Sequence, residues 1–531
     1  MSAADGLPPI IDDLLRPEAY PHEVAAVRLM QTHISWLLLT GPYVYKLKKP
    51  VDFGFLDYTT LERRRHFCFE EVRLNRRLSP EVYLGVVEVR RDAGGRHSIE
   101  GPGETVEYAV KMVELPQEAA LSVLLSSGRA TEAMIDRLGA LVAGFHLAAE
   151  TNEEIAAYGR LEKVRFSIDE NFAQTEPYLG RTIERSDWEA LKGWSERFMA
   201  ERAHLFAERV ALGRIRDCHG DLHTQNVYFE DERIHVLDGI EFNRRFRFLD
   251  TTADLAFLLM DLDFRGFPAY GLRLLNTYLQ FTSDYHLLGL LDFYRVYRAY
   301  VRGKIASFEF DMAGLPPARR EEVRSRAADY FALARRYIER PARPALIATS
   351  GLIGSGKSYL ARRVAERLGA VVVRSDAVRK VLSGASPAES RRAPFGEGIY
   401  GPQMTERVYG EMLRQAAFAL AAGMPVVLDA TYSRAAQREG VIRLGREGGW
   451  PVVFVHCGCR DEVIVERLLE RAAKRGVSDA GPELLERMRA SFEEPQEREL
   501  GARLVCVSSD EPEEVRVERV VGALRAQGVN P

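Results

Sequence analysis

Residues 216–242 read RDCHGDLHTQNVYFEDERIHVLDGIEF and hold His219, Asp221, Asn226 and Asp238 in order. Moving a phosphoryl group needs a carboxylate at the acceptor hydroxyl, oxygen ligands for magnesium and a cation on the phosphates. Asp221 has the chemistry of a general base. Asn226, five residues later, and Asp238 supply the oxygen ligands that Mg²⁺ prefers. A second segment, GLIGSGKS at 351–358, is a complete G-x-x-x-x-G-K-S. There the backbone N–H groups of Gly351, Gly354, Ser355 and Gly356 are expected to cradle phosphates. Lys357 would reach the β/γ-phosphates and Ser358 would ligate Mg²⁺. The chemistry implied at both places is ATP-dependent phosphoryl transfer.

Side chains at these intervals act together only if the chain folds back on itself. Two short strands around the turn Glu230-Asp231-Glu232 would return Asp238 beside Asn226. The glycine-rich segment follows a strand-like run, ALIATS at 345–350, and opens a helical pattern that stops at Gly369. Further apolar runs at 370–375, 425–431, 451–457 and 503–509 alternate with helical patterns, which predicts a parallel sheet covered on both faces. A charged helical pattern over about 317–339 stops at Pro341 and Pro344, so a domain boundary is expected near 343. Before it, 30–48 and 82–114 read as strands around one helix at roughly 59–78, and the pattern from 118 is mainly helical. The expected architecture is two domains, α+β then α/β. A bilobal domain covers 1–342, with a small lobe to about 115 and a large lobe from about 116, and a phosphate-loop domain covers 343–531.

Within the second domain, Asp376 ends the second strand, where ligands of open α/β sheets bind, and can take a proton from an acceptor. Arg379 follows three residues on. Asp429 ends the next strand, near Mg²⁺ or the acceptor, with Arg434 and Arg438 on the helix after it. Arg467, Arg471 and Arg475 recur every four residues in a lid-like helix. One or two of them could neutralise the transferring group, and Arg471 is taken as catalytic with the others open. Arg295, Arg298 and Arg302 share a helix face that is either solvated and ion-paired or holds an anionic acceptor. The second alternative would disfavour a polycationic substrate.

The whole chain bounds these readings. Its 531 residues exceed one core, and 46% hydrophobic with 28% charged residues is an ordinary globular mixture. The net charge of −4 gives no general pull toward nucleic acid or acidic membranes. Five cysteines without a C-x-x-C pair read as reduced thiols. No basic n-region opens MSAADGLPPIIDDLL and no run of 18 apolar residues exists, so a cytoplasmic protein with no membrane partner is expected.

The string HGDLHTQN…VLDGIEF, with DTTADLAFL at 250–258, resembles the aminoglycoside phosphotransferase family, which is choline-kinase-like. The D-x-x-x-x-N interval also matches the catalytic loop of protein kinases. The resemblance implies a protein-kinase-like bilobal fold. It makes Asp254 a brace for the catalytic loop, His219 structural, and Glu241 a supporting residue. It also asks for a strand lysine ahead of a helix carrying a glutamate. YVYKLKK offers Lys46 and Lys48 on one strand face, and the following helix offers Glu70 and Glu71. Lys46 with Glu71 fits the family spacing best; Lys48 and Lys111 in YAVKM remain alternatives. The stretch KMVELP would be the hinge, where backbone groups near Val113 and Leu115 meet adenine. The small lobe lacks G-x-G-x-x-G, so Thr32, His33 and Ser35 would cover the phosphates.

GSGKS with SDAVR, LDAT and the lid arginines resembles P-loop kinases of the polynucleotide-5′-kinase, zeta-toxin and chloramphenicol-phosphotransferase type. The order of modules resembles bacterial proteins described as bifunctional aminoglycoside phosphotransferase and ATP-binding proteins. These resemblances imply ATP and Mg²⁺ as cofactors and small-molecule hydroxyl acceptors. Two alternatives stand: one nucleotide site regulates the other, or the P-loop domain phosphorylates nucleic-acid 5′-hydroxyls.

Overall fold

The computed structural model describes residues 7–385, 398–475, 482–500 and 503–529. The chain divides into two compact units. One takes residues up to 134 with 145–267 and 293–338; the other takes 135–144, 268–292 and 339 onward.

The first unit contains a six-stranded antiparallel sheet in the order β1-β2-β3-β6-β4-β5. The strands are β1 Arg28–Gln31, β2 Ser35–Leu39, β3 Tyr43–Lys48, β4 Tyr83–Arg91, β5 His97–Ile99 and β6 Glu104–Val113. The helix Leu61–Asn75 interrupts them and starts at Thr60, whose hydroxyl accepts from the Arg63 amide at 3.3 Å. Lys46 and Lys48, two apart on β3, point to one face. Two short pairs complete the loop region: β7 Ile215–Asp217 with β10 Phe248–Asp250, and β8 Val227–Glu230 with β9 Arg233–Val236. The β8–β9 hairpin closes with Glu230 opposite Arg233, and Asp231 takes the left-handed turn conformation that aspartate tolerates. It forms where the sequence predicts it.

The second unit is a five-stranded parallel sheet in the order β12-β13-β11-β14-β15. Its strands are β11 Leu346–Ser350, β12 Val371–Arg374, β13 Val426–Asp429, β14 Val452–Gly458 and β15 Leu504–Ser508. Each falls inside or within one residue of its predicted run. Both faces are covered: on one, Ile347, Val427 and Val453 pack with Val364 and Leu524 of flanking helices, and on the other, Ala348, Leu428 and Phe454 are buried as well. The order reverses beside β11, which places the glycine loop at the ligand crevice of such sheets.

The second unit also recruits a segment from before the 343 linker. On the helix Pro268–Thr282, Asn276 accepts from the Val372 amide at 2.7 Å and donates to the Ala370 carbonyl at 3.2 Å. Tyr285 donates to the Val372 carbonyl at 2.6 Å. An amide side chain and a phenol thus pair the exposed edge of β12, which would otherwise present open backbone groups. Among the described residues, no helix is long and apolar enough to cross a membrane.

Candidate active sites

In the first unit, two lysines and three carboxylates form one network. The Lys46 ammonium lies 2.8 Å from Glu71 and 2.6 Å from Asp238. The Lys48 ammonium lies 2.7 Å from Glu71 and 2.5 Å from Glu241. Tyr58 donates a further hydrogen bond to Glu241. Burial pushes the Glu71 carboxyl up, but the Lys46 and Lys48 ammoniums outweigh it and hold it at about 2. The two lysines differ in surroundings. Lys48 and Glu71 are fully enclosed, whereas Asp238, the partner of Lys46, keeps 56% of its side chain exposed. Lys46 therefore borders the open side of the network, and Lys48 locks the helix Leu61–Asn75 to the segment after β9. Lys111 pairs across from Tyr45, on the opposite face from Lys46, with its ammonium 4.4 Å from the Tyr43 ring. That geometry removes it from the alternatives.

The catalytic-type loop is held from beneath. Asp254 accepts the amides of His219 at 3.0 Å and Gly220 at 2.9 Å, and meets His146 Nε2 at 3.2 Å. It occupies the bracing position that the resemblance implied. Burial raises the Asp254 carboxyl, while its contacts with His146 prevail and hold it at about 2. Asn226 donates from Nδ2 to the Asp221 carbonyl at 3.0 Å and to its carboxylate at 3.3 Å. That fixes the amide plane and leaves Oδ1 as its ligand atom. The Leu237 amide donates to the Asn226 carbonyl at 2.8 Å, so the hairpin does return Asp238 beside Asn226. Asp238 itself is in the left-handed region at φ 63°, with its amide donating to the Tyr83 hydroxyl at 3.0 Å. Gly239 donates to Asn75 at 2.8 Å. Asn75 and Tyr83 were not singled out from the sequence, although Asn75 lies one helical turn after Glu71 and so shares its face.

Asp221 is partly exposed, with His223 Nε2 at 3.4 Å from its carboxylate. Burial raises its pKa, but His223 and then Arg302 reverse this and lower it well below the ordinary carboxylate value. Of the three arginines on this helix face, Arg295 and Arg298 are buried and Arg302 is half-buried, so the face is not a solvated one. Arg298 donates to the Ala253 carbonyl at 3.0 Å and lies 4.6 Å from the Phe257 ring. Arg295 packs 5.7 Å from the Tyr337 ring, and Arg302 donates to the Tyr330 hydroxyl at 3.4 Å. The helix Leu288–Phe310 packs this face inward because aromatic and aliphatic side chains surround the stems.

The Val113 amide donates to the Val82 carbonyl at 2.9 Å, so that proton is not available to a base. Leu115 buries its side chain with Leu39, Val44 and Met112. Of the loop residues, Thr32 accepts the Ser35 amide at 3.0 Å and shapes the β1–β2 turn, His33 is exposed, and Ser35 is buried.

The second unit builds a tight phosphate cradle. Gly351, Gly354 and Gly356 all have positive φ, 134°, 89° and 89°. A Cβ on Gly351 would lie 2.6 Å from the Cys457 carbonyl oxygen. Lys357 donates to the Leu352 carbonyl at 2.6 Å, and Ser355 buries a hydroxyl that has no hydrogen-bond partner among the described residues. Ser358 lies exposed in the first turn of the helix Lys357–Leu368. Asp429 ends β13 opposite Arg374, whose Nε donates to it at 3.3 Å. Arg374 also reaches Gln280 of the helix Pro268–Thr282 at 3.3 Å. Asp376 is half exposed in the first turn of the helix Ser375–Leu382 and pairs with Lys380 at 3.2 Å. Arg379 bonds the Ile399 carbonyl at 2.7 Å, and Arg438 clamps Glu499 at 2.7 and 2.9 Å. Both therefore hold structure. The side chains of Arg471 and Arg475 lie outside the described residues. Arg467 is the lid arginine seen at the loop, donating to the Gly354 carbonyl at 2.9 Å.

The donor sets suit Mg²⁺ and a nucleotide. Asn226 and Asp238 offer only oxygen, and the buried Ser355 hydroxyl sits in a cradle that a single Cβ would fill.

A family model described as an AAA domain matches residues 346–495. Two solved structures align at low similarity. A choline/ethanolamine kinase family protein from Mesorhizobium loti is 11% identical, covers 60% of this chain and 89% of its own, and has a TM-score of 0.37. A kinase-titled structure from Chloroflexus aurantiacus is 21% identical over 36% of this chain and 100% of its own, with a TM-score of 0.29. Over 458 residues, the chain is 31% identical to uncharacterized protein Rv2004c of Mycobacterium tuberculosis (strain H37Rv), covering 86% of this chain and 88% of that protein. Uncharacterized protein Mb2027c of Mycobacterium bovis matches with the same figures. The chain belongs to the family of these two mycobacterial proteins.

Proposed function

We propose that this chain is an ATP-dependent phosphotransferase with two nucleotide sites, each passing the γ-phosphate of ATP to a hydroxyl of a small molecule. The observation that carries the reading is the convergence of Asp221, Asn226, Asp238 and Lys46 from strand, hairpin and loop in one unit. Lys46, fixed by Glu71, would hold the phosphates of ATP. Asn226 and Asp238 would hold Mg²⁺, which when bound offsets the phosphate charge. Asp221 would orient the acceptor hydroxyl and take its proton. In the second unit, Lys357, Ser358 and Asp429 would hold phosphates and metal, Asp376 would meet the acceptor, and Arg467 or Arg471 would steady the transferring group. The net charge of −4 supports a small molecule over nucleic acid as acceptor. The half-buried Arg302, whose charge acts on Asp221, disfavours a polycation.

One observation favours a regulatory role for the second site: Arg374, paired to Asp429, is also held by Gln280 from outside the strand–helix repeat. The test follows γ-labelled phosphate from ATP into a metabolite extract with wild type, Asp221→Asn and Lys357→Ala. Two enzymes predict that each substitution removes a different product. A switch predicts that Lys357→Ala also lowers the Asp221-dependent product. Unchanged transfer in both variants would refute the assigned roles.

A further inference from the structure

The loop 52–57 displays aromatic rings to solvent. Phe53 and Phe55 are 47% and 41% exposed, and their rings lie 6.1 Å apart. Phe55 also stands 6.1 Å from both Phe242 and Phe246. These rings are held, not loose. The Gly54 amide bonds Asp52 at 2.7 Å, the Phe53 amide bonds the Leu56 carbonyl at 2.9 Å, and Asn243 donates to the Phe55 carbonyl at 3.0 Å. Exposing fixed aromatic faces forfeits burial energy, which calls for an occupant. A cavity of about 470 Å³ opens here, lined by Phe55, Phe67, Phe242, Asp57, Arg63 and His66 among others. That volume suits a small molecule.

The cavity wall leads to the candidate base. The Ile240 amide donates to the His219 carbonyl at 3.0 Å, and the Phe246 carbonyl lies so close to Gly220 that a Cβ there would be 2.6 Å away. Residues 240–246 therefore run along the loop that carries Asp221. At the rim, Arg63 pairs with Asp57, and Glu62 adds a further carboxylate to the lining.

We propose that this cavity is the acceptor subsite of the first unit and takes a hydroxyl compound bearing a flat aromatic or heteroaromatic ring. The ring packs against Phe55 and Phe242 on the cavity wall, and the hydroxyl-bearing part extends along 240–246 toward Asp221. This rests on the phosphotransfer reading for the identity of the ligand as acceptor.

The test is saturation-transfer NMR on the full chain with phenyl β-D-glucoside against methyl β-D-glucoside, which lacks the aryl ring. Saturation should concentrate on the phenyl protons. It should fall roughly fivefold in Phe55→Ala and Phe242→Ala, as the loss of a ring stack predicts. Phe55→Tyr should retain it, separating stacking from misfolding. Equal saturation of both glucosides, or an unchanged signal in Phe55→Ala, would overturn the subsite. A Phe55-dependent phenyl signal in a protein that transfers no phosphate would uphold the cavity as a ring-binding site and sink the phosphotransfer reading alone.

Discussion

Lys46 and Lys357 are both placed to meet phosphate, but the chain holds them in opposite ways. Lys46 depends on carboxylates from distant segments, Glu71 on a helix and Asp238, which is 192 residues away. Lys357 is held by the Leu352 carbonyl, five residues back in its own loop. The first arrangement is tertiary and ionic, and the second is local and mostly backbone. A site of the first kind should be tied to the stability and pH response of its whole unit. A site of the second kind should tolerate loss of its lysine without unfolding.

The largest expected effect tests that contrast directly. Glu71→Ala leaves two buried ammoniums short of a counter-charge and should cost about 3–5 kcal/mol in urea unfolding. Lys357→Ala should cost less than about 1 kcal/mol while abolishing nucleotide binding at its loop. Equal losses would break the comparison. Acidification comes next. Glu71 and Asp254 are both held at about 2, below their ordinary values of 4.5 and 3.8. A depressed carboxylate contributes stability above its unfolded pKa and loses it as pH falls through the folded one. The first unit should therefore weaken from about pH 4.5 down to about pH 2, by about 2–3 kcal/mol per group. Tryptophan fluorescence during acid titration reports it, because all four tryptophans except Trp450 lie in the first unit's residues. Gly351→Ala should cost about 1–3 kcal/mol, since its Cβ meets a carbonyl at a strained φ, and should weaken ATP binding at the loop only. Arg374→Ala should be smallest, within about 1 kcal/mol, as its pair with Asp429 is partly solvated. A shift in metal dependence without a shift in unfolding would sharpen the view that Arg374 positions Asp429.

The same contrast explains what the sequence disclosed. The glycine loop, its strand and its helix are adjacent in the chain, so spacing alone located them. The β8–β9 hairpin was legible for the same reason, because a two-residue turn fixes where Asp238 returns. The lysine was not. Lys46 and Lys48 have the same strand parity and both bond Glu71, so only the surroundings of Asp238 and Glu241 separate them. The arginines at 295, 298 and 302 have helical spacing that fits either a wet or a buried face. Which one holds depends on rings from Phe257, Tyr330 and Tyr337, distant in sequence. Arg467 and Arg471 are one turn apart, and the contact that marks Arg467 is with a carbonyl 113 residues earlier.

Asn276 gives the chain an unusual genetic constraint. Its side chain completes the edge of a sheet whose strands are all encoded more than 65 codons downstream. A gene divided at the linker near 343 would thus separate β12 from the groups that cover it. The two halves could persist as separate genes only if the downstream half acquired its own edge cover or the upstream product docked in trans. Selection on that edge would favour keeping the two reading frames fused.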